Sequence, residues 1–245
     1  MLGLTKIRSP LYCRSLKCLI TETRKLQTSA ILLGTPSSQG NATIVTQSPF
    51  AGQGSWLKKL QYKIGLGEFG SHALRRATIF HYEACTDKLE PTKFFEHLKL
   101  PDTLFSFFLV VQLHVWMCQA RSMKEGPEGR TLRNEVLERM WQDFDTRLSK
   151  IEVYSQSKRK EILNDLLFHH QSAILSYDEG ILTDDKTLAN ALWRTMFSKS
   201  ESTDPVVIEM AVKYVRTQMN HLRLIGPKDW CLNGSFHWAS CPPLT

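Results

Sequence analysis

Apolar residues return every third or fourth position along most of this 245-residue chain, which is the spacing of helix faces rather than the alternation of strands. Trp56, Leu57, Leu60 and Ile64 share one helical face, with Lys58, Lys59 and Lys63 elsewhere around it. After the glycine-rich break Gly65–Gly70, Ala73, Ala77, Phe80 and Ala84 predict an inward stripe opposite Arg75 and Arg76. Pro91 suits the first turn of a short helix through Leu98. Pro101-Asp102 starts a helix through Met123 that is apolar nearly all round and therefore central. Gly126-Pro127-Glu128-Gly129 predicts a turn. The next helix carries Leu132, Val136, Met140, Phe144 and Leu148 as a regular stripe. Another helix carries Leu163, Leu167, His170 and Ile174, beside Ile162, Leu166, His169 and Ala173, and Gly180 is placed to end it in a left-handed cap. Thr183 or Asp184 caps a helix through Phe197, and Asp204-Pro205 opens a last one with Ile208, Val212, Val215, Met219 and Leu222 inward. Gly226-Pro227 stops it. No stretch alternates long enough to predict a strand, apart from one short extended piece at Phe236–Trp238.

The pattern predicts an all-α fold: a single irregular helical bundle domain over residues 56–225, preceded by a disordered basic N-terminal segment and followed by a tail, 226–245. Residues 1–34 are basic, rich in Ser and Thr and nearly acid-free, the composition of a mitochondrial transit peptide. Residues 35–55 carry no charge and many Gly, Ser, Thr and Pro, so they read as a flexible linker. The net charge of +7 is unevenly spread: the first 40 residues hold six basic side chains against Glu22 alone. The excess therefore describes a leader more than a nucleic-acid-binding domain.

Other classes are excluded by composition. At 42% hydrophobic and 22% charged residues, the chain can bury a core. The longest apolar run, Leu104–Ala120, spans 17 residues interrupted by Ser106, Gln112 and His114, which reads as a buried helix rather than a membrane span. Six cysteines with no CxxC pair make neither a disulfide framework nor a zinc ribbon. The sequons at Asn41 and Asn233 would go unused in a mitochondrion.

Candidate chemistry is sparse. Gly65-Leu66-Gly67-Glu68-Phe69-Gly70 matches G-x-G-x-x-G, but a lysine-rich helical pattern precedes it where dinucleotide binding needs a strand. His169-His170 lie on an apolar face with no metal-ligand spacing, so they and His114 are expected to be partly buried and hydrogen-bonded. Asp178-Glu179 and Asp184-Asp185 bracket a turn, where carboxylates cap helices, form an interaction surface or do acid–base work. Lys58, Lys59, Lys63, Arg75 and Arg76, interleaved with Trp56 and Tyr62, form a basic patch for ribosomal RNA phosphate or anionic lipid, or simply a solvated face.

Two strings go beyond this physics. Pro101-Asp102-Thr103 leads to Leu113-His114-Val115-Trp116-Met117-Cys118. Tyr177-Asp178-Glu179-Gly180-Ile181-Leu182-Thr183-Asp184-Asp185 continues through Leu188-Ala189 to Ala191-Leu192-Trp193-Arg194 and Phe197. Together, over roughly Trp56 to Leu224, they resemble the ubiquinol–cytochrome c chaperone family, the assembly factors of the mitochondrial cytochrome bc1 complex. The resemblance implies a non-enzymatic chaperone without a cofactor of its own. It implies a heterodimer with a small second assembly factor of complex III, binding of nascent cytochrome b, and help with its stabilisation and haem acquisition. It further implies work near the tunnel exit of the mitochondrial ribosome, peripheral to the matrix side of the inner membrane. On the matching strings, Asp178, Glu179, Asp184 and Asp185 are candidates for an acidic partner-binding rim, with Trp193 and Arg194 beside it. Trp116 and His114 are expected to hold the core, and the resemblance gives His169 and His170 no haem-ligating role. A helical enzyme, or a ribosome- or lipid-binding module built on the basic patch, are the competing readings.

Overall fold

The computed structural model describes residues 71–152, 154–198, 203–234 and 236–239. Among these, seven α-helices follow one another without a strand: α1 Ser71–Cys85, α2 Pro91–His97, α3 Leu104–Ser122, α4 Gly126–Ser149, α5 Gln156–Leu182, α6 Asp185–Met196 and α7 Pro205–Leu224. A 3₁₀ turn, Met123–Glu125, joins α3 to α4, and a π-type turn, Asp229–Asn233, follows α7. The expected helix at 56–64 and the glycine break at 65–70 lie outside the described residues.

Helix starts are set by local chemistry. Thr103 Oγ1 accepts from Ser106 N at 3.1 Å, Ser155 Oγ from Lys158 N at 3.2 Å, Asp184 Oδ1 from Thr187 N at 2.7 Å and Asp204 Oδ1 from Val206 N at 3.0 Å. Each bond satisfies an amide that the first turn leaves without a carbonyl, and such a cap stabilises by about 1 kcal/mol.

The apolar helix α3 is the axis, with every residue from Phe108 to Gln119 buried. Its most apolar 18-residue window has a mean hydropathy of 1.2, enough to cross a membrane by length and composition, yet 78% of that window is buried inside the fold. α4 lays Leu132, Val136, Met140, Phe144 and Leu148 against the core, the stripe expected from sequence. α5 and α6 fold back on each other as a hairpin, and α7 packs on α6 and α3.

Three expectations are corrected. First, Gly126–Gly129 is not a separate turn: the chain reverses in the 3₁₀ turn before it, and these residues form the first turn of α4, with Pro127 where its missing N–H costs nothing. Second, Gly180 does not cap α5. It lies inside the helix where α6 crosses, and a Cβ there would stand 2.7 Å from the Leu188 Cα, so the glycine serves close approach. Third, the buried face of α1 is Leu74, Ala77, Thr78, His81, Ala84 and Cys85, while Phe80 points outward at 38% exposure.

The phase of α1 has its cause in the C-terminal segment. The packed body does not stop with α7 at Gly226-Pro227. Trp230, Cys231 and Phe236 are buried, and His81 meets the Trp230 ring edge-on at 4.3 Å. Trp230 Nε1 donates to Ser122 Oγ at 3.0 Å and Trp238 Nε1 to Ala84 O at 2.7 Å. Gly234, at φ +60°, brings this segment so close to α1 that a Cβ would lie 2.9 Å from the Ala77 backbone. Residues 236–239 form no strand; Gln218 holds them by accepting from Ala239 N at 2.9 Å and donating to its carbonyl at 2.6 Å.

Candidate functional site

The ends of three helices leave a groove. Its floor is Trp116 of α3 with Ile174 and Ile181 of α5 and Met219 of α7, and its volume is about 400 Å³, within the usual ~300–1,000 Å³ of binding pockets. Lys124 of the 3₁₀ turn, Arg133 of α4 and Arg223 of α7 edge it. Two of the apolar side chains that line it are exposed: Met123 at 43% and Leu182 at 84%.

One carboxylate lies within the groove. Trp116 Nε1 donates to Asp178 Oδ1 at 2.8 Å, linking two residues that the sequence placed in separate strings. Burial raises the pKa of Asp178, and the indole hydrogen bond and the Arg133 charge oppose that rise. Trp116 itself is 1% exposed, so it supports the site from the core, as expected.

The wall beneath is fastened by Arg121. Its Nη1 bonds Glu125 in an ion pair that is almost fully buried, its Nε donates to Leu222 O at 2.8 Å and its Nη2 to Ile225 O at 2.7 Å. The guanidinium also lies 5.2 Å from the Trp230 ring. The sequence carried one sign of this pair, opposite charges at i and i+4 where the apolar helix ends.

The six candidate rim residues do not converge on one surface. Asp178 faces the groove just described. Glu179 and Arg194 line a second, more polar depression of about 600 Å³ between α5 and α6, with Lys186 and Asn190. Asp184 is the N-cap of α6, and its bonds to Thr187 hold its carboxyl below the usual range. Asp185 accepts from Arg216 Nε at 2.8 Å, and Arg216 also donates to Ile181 O and Gly180 O, closing the end of α5. Trp193 is half-buried against the core. Of the basic patch, Arg75 and Arg76 are exposed on α1, and Lys58, Lys59 and Lys63 lie outside the described residues.

Of the three histidines singled out in the sequence, His114 and His170 are buried and His169 is half-buried. His114 Nδ1 donates to Val110 O at 2.7 Å, and Nε2 lies 2.7 Å from the Tyr214 hydroxyl. His169 Nε2 donates to Thr195 O at 3.0 Å, and Nδ1 lies 3.2 Å from the Gln112 side-chain amide. His170 departs from expectation: it is wholly buried, neither ring nitrogen has a hydrogen-bond partner among the described residues, and it packs edge-on to Trp141 at 5.4 Å. Burial lowers the pKa of His81 and His114 to about 4 and that of His170 to about 3, so all three are neutral near pH 7. Among the described residues, no group of three or more His, Cys, Asp or Glu could hold a metal ion.

Comparison with known proteins places this architecture. The family model described as Ubiquinol-cytochrome C chaperone matches residues 96–238, which takes in the groove and the C-terminal segment through Trp238. Ubiquinol-cytochrome c reductase complex assembly factor 1 of Drosophila melanogaster is 39% identical over 183 residues, covering 73% of this chain and 70% of its own length. The Xenopus laevis protein of that name is 36% identical over 171 residues, covering 70% of this chain and 84% of its own. Mitochondrial protein CBP3 of Saccharomyces cerevisiae is 33% identical over 153 residues, covering 61% and 44%. The crystal structure of the Cbp3 homolog from Brucella abortus shares the fold, with a TM-score of 0.57 at 20% identity over 70% of this chain and 93% of that one.

Proposed function

This chain belongs to the ubiquinol–cytochrome c chaperone family, and from that premise we propose that it is a non-enzymatic assembly factor for mitochondrial ubiquinol–cytochrome c reductase, complex III. In this reading it binds newly made cytochrome b together with a small partner protein. It works on the matrix side of the inner membrane, and residues 1–34 direct it into the mitochondrion before the linker 35–55 and the helical body. The observation that carries the reading is the groove at the ends of α3, α5 and α7. A chaperone for apolar segments needs an open apolar surface, and Leu182 stands 84% exposed on the groove's lining. Glu179 and Arg194, along the polar depression, are the proposed second contact, with Trp193 behind them.

A narrower reading keeps the basic patch. Arg75 and Arg76 are exposed on α1 and, with Lys58, Lys59 and Lys63 a short way before them in the sequence, suit the ribosome or anionic lipid.

The function is tested by removing the chain from cells and separating mitochondrial complexes by native electrophoresis. Assembled complex III is expected to fall sharply, other respiratory complexes far less, and the full-length chain to restore it. Normal complex III in its absence would contradict the reading.

A further inference from the structure

We infer that the groove at the ends of α3, α5 and α7 receives a helical segment of a partner protein that carries an apolar ridge flanked by carboxylates. The inference names the partner chemistry of the chaperone reading and rests on that reading for the existence of a partner.

The apolar half follows from shape. The floor is Trp116, Ile174, Ile181 and Met219, and the exposed Met123 and Leu182 stand around it. A concave apolar trough between helix ends fits side chains repeating at i, i+3, i+4 and i+7. A flat lipid surface would leave its floor unfilled.

The acidic half follows from charge. Arg121 is committed to Glu125 and the buried Arg133 acts on Asp178, the single carboxylate lining the groove, so the exposed charges of the rim are Lys124 and Arg223. Lys124 and Arg223 are exposed and form no ion pair among the described residues. Helix C-termini attract cations and could account for these two. The carbonyls there are already served, however, at α7 by Arg121 and at α5 by Arg216. Lys124 and Arg223 are thus left for something outside the fold.

Charge also disfavours two other occupants. Residues 1–70 of this chain hold nine basic side chains and two acidic ones, so they would bring cations to a cationic rim. A second copy docked groove to groove would do the same.

The test uses the full-length chain in mitochondria with a photo-crosslinking phenylalanine analogue at Leu182 or Met123, and at Phe168, which is 68% exposed and outside the groove, as control. Adducts are identified by peptide mass spectrometry, and complex III assembly is followed in the same cells. The expected adduct at the two groove positions is a peptide with helix-spaced apolar residues and flanking Asp or Glu, absent at the control. Lys124→Glu with Arg223→Glu should reduce it about tenfold, and Lys124→Gln with Arg223→Gln by less. Both substitutions are at exposed positions, and an unchanged melting temperature checks that the fold persists. Adducts to lipid, to residues 1–70, to a second copy or to a peptide without acidic residues would overturn the inference. So would undiminished crosslinking in the Glu variant, or no groove adduct while complex III assembles normally. That last result leaves the assembly reading standing, whereas assembly that ignores the chain removes the reading itself.

Discussion

Moving from pH 7.5 to pH 5 is expected to cost the folded protein about 6 kcal/mol of stability, which is comparable to the whole ~5–15 kcal/mol of a typical domain. The cause is three interior histidines. Desolvation by burial lowers His81 and His114 to about 4 and His170 to about 3, against 6.5 for a free imidazole. The unfolded chain therefore takes up protons that the folded chain refuses. Stability from these groups is complete above pH 6.5 and is lost as the pH falls from there toward 4, and toward 3 for His170. At pH 5 each histidine contributes about 2 kcal/mol of that loss. Asp178, raised by burial, works the other way and returns some stability as the pH falls through the carboxylate range. Urea unfolding at pH 7.5 and pH 5 measures the difference. His170→Leu, which keeps the contact with Trp141 apolar, should make the pH dependence shallower. Equal midpoints at the two pH values would contradict the burial of these rings.

Arg121→Leu is expected to destabilise the protein by about 3–5 kcal/mol, the usual cost of stranding one member of a buried ion pair. Arg121 and Glu125 are each 4% exposed, so removal of the guanidinium leaves a carboxylate with neither water nor a counter-charge. It also strips the donor from Leu222 O and Ile225 O, which join α7 to the C-terminal segment. The double variant Arg121→Leu with Glu125→Leu should recover a large part of the loss, because the pair itself is worth little more than well-packed apolar residues. Glu125→Leu alone should cost less than Arg121→Leu, since Arg121 keeps both backbone carbonyls. Denaturant unfolding of the three variants resolves the order. A single Arg121→Leu within about 1 kcal/mol of wild type would remove this pair from the fastening of the groove wall.

The architecture was legible where a helix face is defined by its own residues. The α4 stripe repeats an apolar residue every fourth position, and all five of its members are buried. The caps at Asp184 and Asp204 are as local, one residue bonding an amide two or three positions on. The phase of α1 was not legible, because its buried face is fixed by Trp230 and Phe236, about 150 residues later in the chain. Taken alone, Ala73 and Phe80 look more apolar than Thr78 and His81. Gly180 misled for a related reason: a glycine near a helix end signals a cap locally, and only the crossing of α6 reveals a need for close approach.

The site divided in the same way. The two strings that carry the family resemblance supply Trp116 and Asp178, yet nothing in either predicts the hydrogen bond between them. The acidic pairs look equivalent in sequence, but α5 turns Asp178 toward the groove while α6 uses Asp184 as its cap and Asp185 to hold Arg216. Lys124 and Arg223, nearly 100 residues apart, meet on one rim only because α3 and α7 end side by side.

In the proposed function, this chain holds a newly made subunit of complex III while the complex is built. The most direct measurement is to immunoprecipitate the tagged, full-length chain from mitochondria labelled during organellar translation. Labelled cytochrome b is expected in the precipitate, together with a small unlabelled protein. Recovery of neither, with the chain folded and intact, would contradict it.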